Sequence, residues 1–179
     1  MLGQNVTRLE ALLWSIALPG FGQLLNKKHI KGILFIVLEF LINMGANFNE
    51  GIRLSFLGDT RQSLEVMNMQ WLMFYPCLYF FAIWDAVKEA ENGASRFTFI
   101  PFVSCAYFVT VGIMYSSVTT IKGVFIGPIW LPMLSVIPGL VVGLIVKKLL
   151  EVYIHKKKIN VITIYTSVDF NGRLFYFCL

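Results

Sequence analysis

Residues 123–146 read GVFIGPIWLPMLSVIPGLVVGLIV, twenty-four consecutive positions without a charged side chain, closed by Lys147-Lys148. As a helix this stretch rises about 36 Å, enough to cross a hydrocarbon core of about 30 Å. A helix also satisfies its own backbone hydrogen bonds where no water can do so. The same pattern recurs upstream. Trp71 to Trp84 and Phe97 to Thr120 are uncharged, and Gly32 to Asn47 carries a single charge, Glu39. Most of the positive charge falls between these blocks.

Composition agrees with that reading. Hydrophobic residues make up 57% of the 179 positions and charged residues 14%, where a soluble domain carries about a quarter charged. Sixteen Phe, seven Tyr and four Trp include several at block ends, where Trp and Tyr rings suit the headgroup layer. The formal charge of +5 is the cationic excess expected at a cytoplasmic membrane face. It comes with no nucleic-acid-binding motif, so no nucleic-acid partner is expected. Cys77, Cys105 and Cys178 are too scattered for a metal site or a disulfide framework.

The fold expected is all-α and membrane-embedded. Four transmembrane helices at about 32–48, 70–87, 97–118 and 123–146 form a bundle, with a short membrane segment at about 9–25 before them. Residues 1–158 make one polytopic domain and 159–179 a tail. In that tail Val161–Phe170 and Arg173–Leu179 flank Asn171-Gly172, a hairpin signal. The N-terminal segment has a signal-peptide-like core, Ala11–Leu18, but no small-x-small cleavage pattern follows, so it is expected to be retained. Its 16 uncharged residues from Ala11 to Asn26 reach about 24 Å. Pro19, Gly20 and Gly22 weaken its second half as a helix, which leaves a short span, a re-entrant element and an interfacial segment open.

Charge sets the threading. With Lys27–Lys31 inside, the inner side holds Lys27, Lys28, Lys31, Lys88, Arg96, Lys147, Lys148, Lys156, Lys157 and Lys158. The outer side holds Arg53, Arg61 and Lys122. Ten against three favours this orientation, with the C-terminus cytoplasmic in a multi-pass protein of a bacterial cell membrane. The lipid bilayer is then the first partner, with anionic headgroups expected at Lys27, Lys28, Lys31, Lys147, Lys148, Lys156, Lys157 and Lys158. Residues 49–69 are expected outside, with a short helix over Thr60–Met69 leading into the next span. Residues 88–96 form a tight cytoplasmic turn at Asn92-Gly93.

Two polar groupings stand out. Glu39 lies about 10 Å into its span, with Asn43 and Asn47 following at helical spacing. This is a candidate proton, cation or polar-substrate site, or a carboxyl hydrogen-bonded to a neighbouring helix. Asp85 falls at the membrane level of Lys31, which predicts a structural ion pair. Pro128, Pro132 and Pro138 with Gly127, Gly139 and Gly143 mark packing in the last span, with Gly139-x-x-x-Gly143 allowing close helix approach. His29 and His155 lie in basic runs, and no hydrolase, metalloprotease or phosphate-loop motif is present. The expectation is a non-enzymatic protein without a cofactor.

The sharpest local motif is Pro19-Gly20-Phe21-Gly22-Gln23, followed by Lys31-Gly32. Together with Ile83-Trp84-Asp85-Ala86, it resembles the paired-helix transmembrane-two domain family over residues 9–88. The family's Asp-Arg-Phe turn is replaced here by Asn26-Lys27-Lys28. The resemblance implies a Gly-rich helix end paired with a basic, aromatic turn and a Trp-Asp pair near the end of a later helix, a structural module more than an activity. The Pro19–Gln23 run is also similar to the N-terminal stretch of sugar-importer permeases, and Glu89–Ala94 to their ATPase-engaging loop. The spacing before Gly93 differs, and the spans are fewer. The role expected is an accessory or scaffold subunit acting through helix packing. The alternative is a small carrier or channel-like protein using Glu39.

Overall fold

The computed structural model describes residues 6–90 and 95–167, with side chains through Lys158. It is mostly helical. In chain order the helices are α1 (Arg8–Ala17), α2 (Phe21–Leu25), α3 (His29–Ala46), α4 (Phe48–Phe56), α5 (Thr60–Val66), α6 (Met69–Leu72), α7 (Tyr75–Glu89) and α8 (Phe99–Tyr115). A two-stranded hairpin, β1 (Thr120–Ile121) and β2 (Val124–Phe125), precedes α9 (Gly127–Ser167). Two helices are long and apolar enough to cross a membrane, α3 and the Gly127–Lys158 part of α9. Met69–Glu89 joins them if it is counted with α5 as one bent span, and Phe99–Tyr115 is a shorter apolar helix.

The N-terminal segment is not one continuous helix. Leu18 is extended, and Gly20 is left-handed at φ 105°. The chain therefore breaks into α1 and α2, and α1, with 10 residues, is about 15 Å long. Neither piece reaches across a bilayer alone. Thr7 caps α1, its hydroxyl accepting from the Glu10 amide at 3.2 Å.

Residues 49–69, expected as an outer loop, fold into the helical pair α4 and α5. Asn47 is left-handed at φ 54° and breaks α3 from α4. Ser55 Oγ donates to Ser63 Oγ at 2.9 Å and Ser63 to the Gly51 carbonyl at 2.8 Å, joining the pair internally. Trp130 Nε1 then donates to the Ser55 carbonyl at 3.1 Å, which seats α4 on α9. The helix entering the next span is shorter than expected, and it is bent by 93° from Met69–Glu89. The buried cluster Ala46, Met67, Leu72, Val109, Ile113 and Ile129 lies beneath this cap.

Helices α8 and α9 pack through small residues. A Cβ at Gly139 would lie 2.9 Å from the Cys105 Cα, and one at Gly143 would lie 2.6 Å from the Pro101 Cα. Backbones at that separation leave no room for any side chain, which is the role expected of Gly139-x-x-x-Gly143. The hairpin between the two helices turns at Lys122-Gly123, whose φ values of 50° and 82° are the positive pair that a two-residue type I′ turn requires. Helix α9 accordingly starts at Gly127, four residues after the apolar block begins.

The C-terminal expectation needs correction. Helix α9 continues through Ser167, across most of the predicted first strand. The remainder of that predicted hairpin, including Asn171-Gly172, lies outside the described residues. A helix already formed adds one hydrogen bond for each residue it fixes, which outweighs the weak β preference of Val161–Thr166.

Candidate functional site

The motif residues, separated in sequence, meet at one corner of the molecule where α1, α2, α3 and α7 converge. Gly22 is what lets them meet. A Cβ there would overlap Ser15 Oγ, and would lie 2.7 Å from the Ala86 Cβ and 2.8 Å from the Ala11 carbonyl oxygen. Gly20 and Gly32 make a second close crossing, since a Cβ at Gly20 would sit 2.5 Å from the Gly32 carbonyl oxygen. Pro19 is fully buried beside them.

This close docking drives Gln23 into α7. Gln23 is 0% exposed, and its Nε2 donates to the Ala82 carbonyl at 2.7 Å and to Asp85 Oδ2 at 3.3 Å. Asn26 Nδ2 donates to the Ala86 carbonyl at 2.8 Å, one turn further along. The other carboxylate oxygen of Asp85 receives Lys31 Nζ at 2.9 Å. Lys31 also lies 3.0 Å from Glu89 Oε1, and Lys28 Nζ lies 3.4 Å from Glu89 Oε2. Two lysines and two carboxylates thus balance in charge across α3 and α7. Asp85 is buried to 6% exposure, so its full set of partners offsets the cost of removing a carboxylate from water. Of the lysines expected to meet headgroups, Lys28 and Lys31 are engaged in this network.

Glu39 sits on the same face of α3, eight residues beyond Lys31, about 12 Å further along the axis. It is 8% exposed. The Tyr75 side chain lies close against it, with Tyr79 nearby. The two tyrosine rings stack at 5.4 Å, and Tyr79 donates its hydroxyl to the Ile16 carbonyl at 2.8 Å. Glu39 Oε2 has no hydrogen-bond partner among the described residues. The stripe expected from Glu39, Asn43 and Asn47 does not act as one unit. Asn43 Nδ2 donates to Asn49 Oδ1 at 3.2 Å, and Asn47 Nδ2 donates to the Val66 carbonyl at 3.1 Å. Both asparagines stabilise the turn into α4, because the helix ends before their face could extend to Glu50. Glu50 instead pairs with exposed Arg53 at 2.6 Å, whose guanidinium holds the carboxyl below its usual range.

Beside Tyr75 and Tyr79 lies an apolar cavity of about 360 Å³, walled also by Phe48, Pro76, Val109 and Pro132. No group of three or more His, Cys, Asp or Glu side chains placed to hold a metal occurs among the described residues. Sequence reasoning singled out Gln23, Lys31, Asp85 and Glu39, but gave Asn26, Glu89, Tyr75 and Tyr79 no place in this site. A signal for three of these was present. Glu89 lies at i+4 from Asp85, and Tyr75 and Tyr79 are themselves four apart, so each pair shares a helix face. Compared with protein-family models, curated proteins and solved structures, the chain matches none.

Proposed function

We propose that this chain is a multi-pass accessory subunit that works by packing its helices against a membrane partner or a second copy of itself. The observation carrying this reading is the sealing of Glu39. At 8% exposure, held against α7 by Tyr75, the carboxyl has no open aqueous approach of the kind a carrier site needs. Other polar side chains nearby are engaged internally, with Gln23, Asn26 and Lys31 bonded to α7 and Lys28 paired with Glu89. Outward-facing surfaces are apolar instead. On α3 they include Ile33, Val37, Phe40 and Met44, and on α9 Leu134, Ile137, Val141 and Leu144. Such faces suit lipid and other helices.

In this reading the chain crosses outward in α3, inward through Met69–Glu89, outward in α8 and inward in α9, leaving the lysine-rich ends on the cytoplasmic side. Helices α1 and α2 lie along that inner interface. The contact of Gln23 with Asp85 joins the two sequence signatures that resemble the transmembrane-two family, and so supports that likeness as a structural module.

A second reading, a small carrier or channel-like protein, is favoured by the orphan Oε2 of Glu39. Two assays separate them. Photoreactive residues at Val37 and Phe40 in native membranes should yield discrete protein adducts for a packing subunit. Liposomes holding the purified protein under a pH or sodium gradient should show no leak that depends on Glu39. A Glu39-dependent leak with lipid-only adducts would reverse the order of the two readings.

A further inference from the structure

Helices α7 and α8 are antiparallel neighbours, and they do not close fully on each other. A groove of about 510 Å³ remains between them, lined on one side by Cys77, Phe81 and Trp84 and on the other by Phe99, Val103 and Ala106. Its lining is almost wholly apolar, and Phe81 and Val103 are 52% and 60% exposed. The groove therefore opens sideways, away from the bundle. From Cys77 to Trp84 it runs about 10 Å along the helix axis.

Its two ends differ. The end at Cys77 and Ala106 is apolar. The end at Trp84 and Phe99 is flanked along the chain by two cations, Lys88 one turn beyond Trp84 and Arg96 three residues before Phe99. Lys88 Nζ lies 5.0 Å from the Trp84 ring centroid, and the Arg96 guanidinium carbon lies 5.8 Å from the Phe97 ring centroid. Both side chains are exposed, and among the described residues neither makes an ion pair. An apolar slot with two cations at one mouth matches the two-part chemistry of an anionic amphiphile. Ammonium and guanidinium groups bind phosphate oxygens by charge-assisted hydrogen bonds, and the aromatic wall accepts a hydrocarbon chain at the depth where ring side chains favour the interface.

We propose that this groove is a site for an anionic phospholipid, one acyl chain lying between α7 and α8 and the headgroup phosphate held by Lys88 and Arg96. The proposal rests on the membrane placement described above, and it gives Lys88 and Arg96 a role apart from the Lys31–Asp85 network. Zwitterionic lipids enter the same slot with less advantage, because their own cation competes for the phosphate.

The test uses the full-length chain in mild detergent with equal amounts of phosphatidylglycerol and phosphatidylcholine of identical acyl chains, read by native mass spectrometry. The wild-type protein should retain the phosphatidylglycerol in about fivefold excess or more, the increment expected for each basic residue near a surface. Lys88→Gln with Arg96→Gln should bring the ratio to near one. Val103→Phe, which narrows the slot, should lower retention of both lipids, with Ala106→Leu as the substitute if that variant fails to fold by circular dichroism. Arg61→Gln with Lys122→Gln, exposed cations outside the set expected at headgroups, should leave the ratio unchanged, separating a defined site from diffuse attraction to basic surface. A wild-type ratio near one, or a ratio indifferent to Lys88 and Arg96, overturns the proposal. Extraction of the cell membranes with alkaline carbonate distinguishes the two failures. Protein that stays in the membrane without lipid preference defeats the groove alone, and protein released by carbonate defeats the membrane placement with it.

Discussion

Gln23 and Asp85 lie 62 positions apart in the chain, yet the Gln23 amide donates to the Asp85 carboxylate at 3.3 Å inside the protein. The same amide nitrogen holds the Ala82 carbonyl at 2.7 Å. One side chain thus fixes α2 against α7 both through the main chain and through the group that anchors Lys31.

Removal of Asp85 should be the most damaging polar substitution at this corner. Asp85→Ala leaves Gln23 buried without its second acceptor and Lys31 with Glu89 alone. A fully buried half-pair costs about 3–5 kcal/mol. With the Lys31 side chain 46% exposed, a loss of about 1–3 kcal/mol is expected, because solvent screens the cation. Unfolding in mixed detergent micelles measures it. Exchanging the charges, Asp85→Lys with Lys31→Asp, should recover part of the loss, and unchanged stability in Asp85→Ala would make the network incidental.

Gly22→Ala should fail by crowding. The added methyl meets Ser15, Ala86 and Ala11 at once, and overpacking of this kind costs about 1–3 kcal/mol. Ser15→Gly in the same chain removes the nearest clash but leaves the Ala86 contact, so rescue should be partial. Full rescue would mean that Ala86 yields easily.

At Glu39, Gln and Leu should separate. Glu39→Gln keeps an acceptor beside Tyr75 and should retain near wild-type stability. Glu39→Leu removes that acceptor and should cost about 1–3 kcal/mol, the penalty of an unpaired buried polar group. The same denaturation assay reads both, and a Leu variant as stable as wild type would show that Tyr75 finds another partner.

Single cysteines at Asp59 and at Lys157, in a background without Cys77, Cys105 and Cys178, should label from opposite faces of intact cells with an impermeant maleimide. Both positions are exposed, so access is limited only by the membrane. Labelling of both from outside would exclude the threading.

The apolar helices were legible because desolvated backbone leaves few alternatives, although only α3 and the Gly127–Lys158 part of α9 are singly long enough to cross a membrane. The level of Asp85 against Lys31 followed from counting residues along two such helices. What sequence did not disclose was lateral. Nothing in the order of residues tells that Gly22 admits Ala86, and hence that Gln23 reaches Ala82, because close approach depends on the shapes of four helices together. Helix α4 escaped for a different reason, whereas α5 falls within the short helix expected over Thr60–Met69. The ends of α4 are set by the left-handed Asn47 and by hydroxyl contacts such as Ser55 with Ser63, and its apolar repeat, Phe48, Ile52 and Phe56, lies in a helix of only nine residues. The reverse error occurred after Lys158, where local β preference suggested strands and helix propagation prevailed.

Helix α9 has mechanical meaning beyond its packing. Its 41 residues make a rod of about 61 Å, and the part beyond Val146 extends about 32 Å past the apolar block. A tilt of about 10° in the half that packs on α8 would sweep the far end through about 6 Å, as simple lever geometry on that rise dictates. A small repacking at Gly139 and Gly143 is thereby magnified into a displacement larger than a water molecule at the distal tip.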